Sequence, residues 1–198
     1  MQHEIQSLWS ELMSALNKDP KDFSSEKTMV FKFAWLLKER LGIAIHKLDF
    51  EKQVFEKEFM EAKYLDLYFE FEGKRIGLEF KFPKYNGGYT NQTQTRVKIV
   101  NDLKRLNYLV NSNKIDIGIF LMATDLKPYV IEGKKQKYPD FKTYKDVKYA
   151  KVNDFPIAKE NEFVIKPNND ICFNWFNDNR MRQGIEFAWL EPIFINRY

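Results

Sequence analysis

The chain has 198 residues, 44% hydrophobic and 30% charged, a globular composition that excludes a disordered chain and a length that suits one domain able to bury a core without staples. Its one cysteine, Cys172, excludes an internal disulfide, reads as a buried inert thiol and points to a reducing compartment. The formal charge of +4 and a pI near 8.9 are compatible with a polyanionic partner without demanding one, and the absence of any run near ~18 apolar residues excludes a helical membrane span.

The N-terminus, Met1-Gln-His-Glu-Ile-Gln, has no apolar core and is not a signal peptide, so a cytoplasmic location is expected. Ile5, Leu8, Trp9, Leu12, Met13 and Leu16 repeat with a helical period and predict a helix over 4–17, ended by Asn17-Lys-Asp-Pro20. Ser24 or Ser25 caps a second helix, whose stripe of Met29, Val30, Phe33, Ala34, Leu36, Leu37 and Leu41 stops at Gly42. Residues 43–59 read as extended. Residues 64–71 and 75–82 alternate strictly around Glu72-Gly73-Lys74, which predicts a β-hairpin. A polar loop over 83–95 leads into a helix over 95–111 carrying Val97, Val100, Leu103, Leu106 and Val110, and residues 115–123 read as a buried strand. Residues 124–161 change texture, with loop signals at Pro128, Gly133, Pro139 and Pro156; short strands are expected at 162–166, 170–176 and 185–195. The abundant aromatics, 16% of the chain, favour a β-rich core. The expected organisation is a single domain over 1–198. It has an N-terminal helix in 1–20, a core over about 24–123 and a peripheral C-terminal lobe over about 124–198.

Alternation decides which side chains share a face of the hairpin. Leu65, Leu67, Phe69 and Phe71 point one way, as do Ile76, Leu78, Phe80 and Phe82 on the returning strand. Both apolar rows need the same core, so Asp66, Glu79 and Lys81 are expected on the opposite face. With Glu72 and Gly73 at the turn centre, Phe71 pairs with Lys74, Phe69 with Ile76, Leu67 with Leu78 and Asp66 with Glu79. Directly opposed carboxylates with Cβ atoms ~5 Å apart repel unless a cation sits between them. Mg²⁺ is held by one or two carboxylates plus water and phosphate oxygens. Lys81 projects beside the same spot, where it can hold a water or stabilise charge on phosphate. Gly77 leaves open space in which a backbone or ligand can approach.

Asp66, twelve intervening residues, then Glu79-Phe80-Lys81 resembles the PD-(D/E)XK nuclease superfamily. The resemblance covers about half the chain. It implies an α/β fold with a central mixed sheet flanked by helices, a restriction-endonuclease-like core (αβββαβ) over residues 24–123 and a β-rich C-terminal extension. It also implies Mg²⁺, with Mn²⁺ as substitute, held by Asp66, Glu79 and the Phe80 carbonyl. Lys81 is given the attacking water, and an acid of the first core helix is an auxiliary ligand, Glu26 first and Glu39 second. A polar residue from the next helix region, Gln94, is implied as well. The sequence departs from the family pattern at Leu65, where the motif has proline. A literal Pro139-Asp140 has no acid-x-lysine on a later apolar strand behind it. Acid-x-lysine occurs nine times in the chain, and only Glu79-x-Lys81 lies in an apolar alternating strand with a matching acid on its hairpin partner, so context and not the tripeptide carries the inference.

Lys84, Arg96, Lys98, Lys104 and Arg105 are candidates for gripping phosphates; each also reads as an ordinary surface charge. The tyrosine-bearing loop over 84–94 can enter a groove or serve as a connector. His3 and His46 are isolated, and Trp9, Trp35, Trp175 and Trp189 read as core or partly buried packing. The expected function is Mg²⁺-dependent hydrolysis of phosphodiester bonds, with double-stranded DNA as substrate and a homodimer compatible with cutting both strands. Two other readings stay open: a nuclease-like module that binds nucleic acid or protein without cleaving, and a hairpin whose charged face is merely solvated.

Overall fold

The computed structural model describes residues 1–54, 64–85, 92–132, 141–149, 170–177 and 186–197. The first helix, α1 (Gln2–Lys18), buries Ile5, Leu8, Trp9, Leu12, Met13 and Leu16, the whole stripe read from the sequence. A 3₁₀ turn at Pro20–Asp22 follows. Helix α2 (Glu26–Leu41) is capped by Ser25, whose hydroxyl accepts from the Thr28 amide at 3.2 Å, and ends at Gly42.

Strands β1 (Asp49–Gln53), β2 (Tyr64–Phe71) and β3 (Lys74–Lys81) come next, then helix α3 (Gln92–Asn111) and strand β4 (Ile117–Thr124). A short helix α4 (Lys127–Val130) precedes the small pair β5 (Lys148–Tyr149) and β6 (Ile171–Cys172), and β7 (Trp175–Phe176), β8 (Ala188–Leu190) and β9 (Ile193–Asn196) close the chain. The strand expected at 162–166 and the extended segment expected at 55–59 lie outside the described residues.

The turn between β2 and β3 places Glu72 and Gly73 at φ of 50° and 71°, the left-handed pair that a tight hairpin demands. Pairing is Phe71↔Lys74, Phe69↔Ile76 and Leu67↔Leu78, the register read from the alternation. β1, β2 and β3 form an antiparallel meander, and β4 joins β3 in parallel after the α3 crossover. The class is α/β, with a mixed central sheet flanked by helices. Strand β4 is buried along its whole length, so both of its edges need partners. β8 and β9 supply the second edge, antiparallel, and are separated by Glu191-Pro192. The C-terminal segment is thus part of the central sheet and not only a peripheral lobe.

The sheet is covered on both faces. One core joins α1 and α2 to Leu67, Phe69, Ile76, Leu78, Phe80, Phe82, Ile119 and Leu121. The other joins Ile99, Leu103, Leu106 and Leu109 of α3 to Phe120, Met122, Trp175 and Ile195. Trp9, Phe33 and Phe80 meet edge to face, with centroids 5.6–6.4 Å apart, each pair adding about 0.5–1.5 kcal/mol to burial. This pins Phe80, and with it the backbone next to Lys81.

Several side chains depart from expectation. Leu65 belongs to the α3-side core, whereas Leu67 and Phe69 belong to the other, so the alternation of β2 breaks at Asp66. The ladder between β2 and β3 ends at Leu67↔Leu78. On β1, Glu51 stands at the position opposite Asp66 with φ of 51°, a conformation that kinks an ordinary strand. The space expected beside Gly77 is filled: a Cβ there would meet Leu65 Cδ1 at 2.7 Å and Ile115 Cδ1 at 3.0 Å. Trp35 is 48% exposed and not packed into a core, with the Lys38 ammonium 4.4 Å from its ring centroid. Cys172 is a free thiol and only partly buried. Among the described residues no helix is long and apolar enough to cross a membrane.

Candidate active site

Beyond Leu67↔Leu78, β3 carries on while β2 peels away. The amides of Phe80 and Phe82 sit two residues apart and so point to the same edge of β3, the edge β2 has left. Backbone donors without partners are costly, and two carboxylates fill the vacancy. Asp66 Oδ2 accepts from the Phe80 amide at 2.7 Å. Glu26 Oε2, from the first residue of α2, accepts from the Phe82 amide at 2.9 Å. Both acids are drawn to the neck of the hairpin for this reason.

Lys81 closes the arrangement. Its ammonium donates to the Phe80 carbonyl at 2.9 Å and lies 3.7 Å from Glu26 Oε1 and 2.8 Å from Asp102 Oδ2. Asp102 comes from α3, as does Arg105, which lies 2.8 Å from Asp102 Oδ1. Arg105 donates twice to Glu79 Oε1, from Nε at 3.1 Å and from Nη2 at 2.5 Å. Glu79 is 1% exposed. The cluster holds four carboxylates and two cations, which leaves two net negative charges when all are ionised.

The electrostatics follow from burial. Desolvation pushes the Glu79 carboxyl well above the ordinary glutamate range, and the nearby Asp102 adds to it, with Arg105 opposing. Desolvation also raises Asp66, against Lys81 and the Phe80 amide, and raises Glu26, against Lys81. Burial pulls the Lys81 ammonium down, but Asp102 and Glu26 more than offset it, and its pKa ends above the ordinary lysine value. The three partners of Lys81 thus favour its ammonium form.

The structure thus gathers Asp66, Glu79, Lys81 and Glu26, with the backbone of Phe80, at one neck. It does not do the same for the other candidates. Glu39 sits on the outer surface of α2, paired with Lys38 at 2.7 Å. Lys84 donates to the Phe23 carbonyl at 3.1 Å. Arg96 is buried, donates to the Pro128 carbonyl and lies over the Tyr129 ring, so it is core and not a surface grip on phosphate. Lys104 is buried, and desolvation lowers its pKa. Gln94 and Lys98 are exposed on α3. Sequence reasoning missed Asp102, which it counted only as one more acid-x-lysine. It took Arg105 for a surface charge. The available signal was their i, i+3 spacing on a helix whose apolar stripe runs beside them.

The donors at the neck are carboxylate and carbonyl oxygens, the set a hard divalent cation takes. Among the described residues, no three acidic, histidine or cysteine side chains converge on a common point as a ready metal cage. Family models, curated proteins and solved structures offer no match to the chain.

Proposed function

We propose that the chain is a divalent-metal-dependent nuclease of the PD-(D/E)XK type on a restriction-endonuclease-like core, with double-stranded DNA as the expected substrate. The observation that carries this reading is the neck itself: Asp66 accepts from the Phe80 amide, Lys81 donates to the Phe80 carbonyl, and Glu79, on the same strand, is buried and paired with Arg105. The order α2, β1 to β3, α3, β4 agrees with the core that the motif implies.

Asp66, Glu79 and the Phe80 carbonyl are the groups that would hold Mg²⁺ or Mn²⁺. When bound, the metal supplies Lewis-acid stabilisation of charge on the scissile phosphate. Lys81, an ammonium held by the Phe80 carbonyl, Asp102 and Glu26, would donate to the attacking water or to a phosphate oxygen on exchanging one of those partners. Glu26 steadies Lys81 from the α2 side. Lys98, exposed on α3, is placed to meet the DNA backbone.

The second reading, a nuclease-fold module that binds without cutting, is favoured by one observation: Glu79 is closed off by Arg105. Supercoiled plasmid with Mg²⁺ or Mn²⁺, an EDTA control and Lys81→Ala separates the two. Metal-dependent nicking that falls at least about 100-fold in Lys81→Ala is expected. Nicking retained in that variant would sink the site. Salt-dependent binding with no nicking by either protein would favour the module.

A further inference from the structure

Two of the three groups assigned to the metal are already occupied by the chain's own cations. Arg105 makes two hydrogen bonds to Glu79 Oε1, and Lys81 donates to the Phe80 carbonyl. Asp102 anchors both cations, at 2.8 Å each. Its Oδ2 is buried and receives no well-aligned hydrogen bond, only the Lys81 ion pair. The α3 helix is therefore fastened to β3 at this end by charge, with Arg105 only 18% exposed.

Two guanidinium N–H groups take up the lone pairs of Glu79 Oε1, and a positive charge a few ångströms away repels a dication. We propose that Arg105 is an internal counter-ion that occupies Glu79 Oε1 and must give way before a divalent cation takes that oxygen, so that α3 sets the metal affinity of the site. This rests on the metal reading above. It assigns Arg105 a restraining role, as against the phosphate grip that its sequence suggests. Lys81 cannot take its place, because its ammonium is committed to the Phe80 carbonyl, Asp102 and Glu26.

The test is Mn²⁺ binding to the full chain by titration calorimetry, with thermal melts to confirm folding. Arg105→Gln is expected to bind Mn²⁺ about tenfold more tightly than wild type, and Glu79→Gln added to that variant is expected to abolish the gain. A gain in affinity by a variant that still melts cooperatively does not come from damaged folding. Arg105→Lys keeps the charge but loses the fork, and about a threefold gain is expected. It decides the matter if Arg105→Gln does not fold. Wild-type binding with equal or weaker affinity in the Arg105 variants overturns the counter-ion while leaving the metal reading in place. No Mn²⁺ binding by any of these proteins overturns both.

Discussion

The two ends of the β2–β3 hairpin are built from the same kind of sequence and do opposite things. From Phe71↔Lys74 to Leu67↔Leu78 the ladder is regular, and Leu67, Phe69, Ile76 and Leu78 are fully buried on one face. From Asp66 to Phe82 the strands part, the alternation of β2 inverts at Leu65, and carboxylates replace backbone carbonyls as acceptors. The closed end derives its stability from burial. The open end gathers charged groups because a parted strand leaves amides that only polar side chains can satisfy. A reactive arrangement needs the second kind of end, and the first kind holds it in place.

Substitutions can pull the two ends apart. Phe69→Ala, in the closed ladder, carries the largest expected stability loss, about 3–5 kcal/mol by urea denaturation, with the proposed metal-dependent nicking per folded molecule kept. Equal loss of activity would mean that the ends are not separable. Gly77→Ala lies at the junction, where the new methyl meets Leu65 Cδ1 at 2.7 Å. It is expected to cost about 1–3 kcal/mol and, by displacing Leu65 beside Asp66, to lower activity as well. A change in stability alone would show that the neck tolerates movement of Leu65.

The smallest effect is expected at the turn-proximal end, where Arg75 is tied to Asp116 at the start of β4. The guanidinium and the Arg75 amide donate to Asp116 and hold its carboxyl down at about 2. Folding thus favours the ionised form. The stability it adds is present above the unfolded value near 3.8 and is lost as pH falls toward about 2. The pair is about one-third exposed, so Asp116→Asn is expected to flatten the acid limb by no more than about 1 kcal/mol. Melting curves between those two pH values, in low and high salt, check it.

What was legible in the sequence is what local rules control. The α1 stripe, the Ser25 cap, the Glu72-Gly73 turn and the register through Leu67↔Leu78 follow from periodicity and turn chemistry. Glu26 also came to the neck, but it was named through a resemblance and not through the reason it is there, the open Phe82 amide. Leu65 was misplaced because strict alternation assumes a continuing ladder, and nothing local announces where a partner strand departs. Asp102 and Arg105 were invisible as a pair with Glu79 and Lys81, since the α3–β3 contact is tertiary. Arg96 was read by charge, whereas its burial is decided by Tyr129 and Pro128 more than thirty positions away.

The docking of α1 has a consequence for the order in which the chain is made. Trp9 Nε1 donates to the Leu190 carbonyl at 2.9 Å, across 181 positions of sequence, and Asn17 Oδ1 accepts from the Phe187 amide at 3.2 Å. On the ribosome this helix must wait for a strand that is made 181 positions after it. At about 5–20 residues per second that wait lasts on the order of ten seconds or more. The docking of α1 is incomplete for that time, so assembly of the nascent protein is held open until Phe187 and Leu190 arrive.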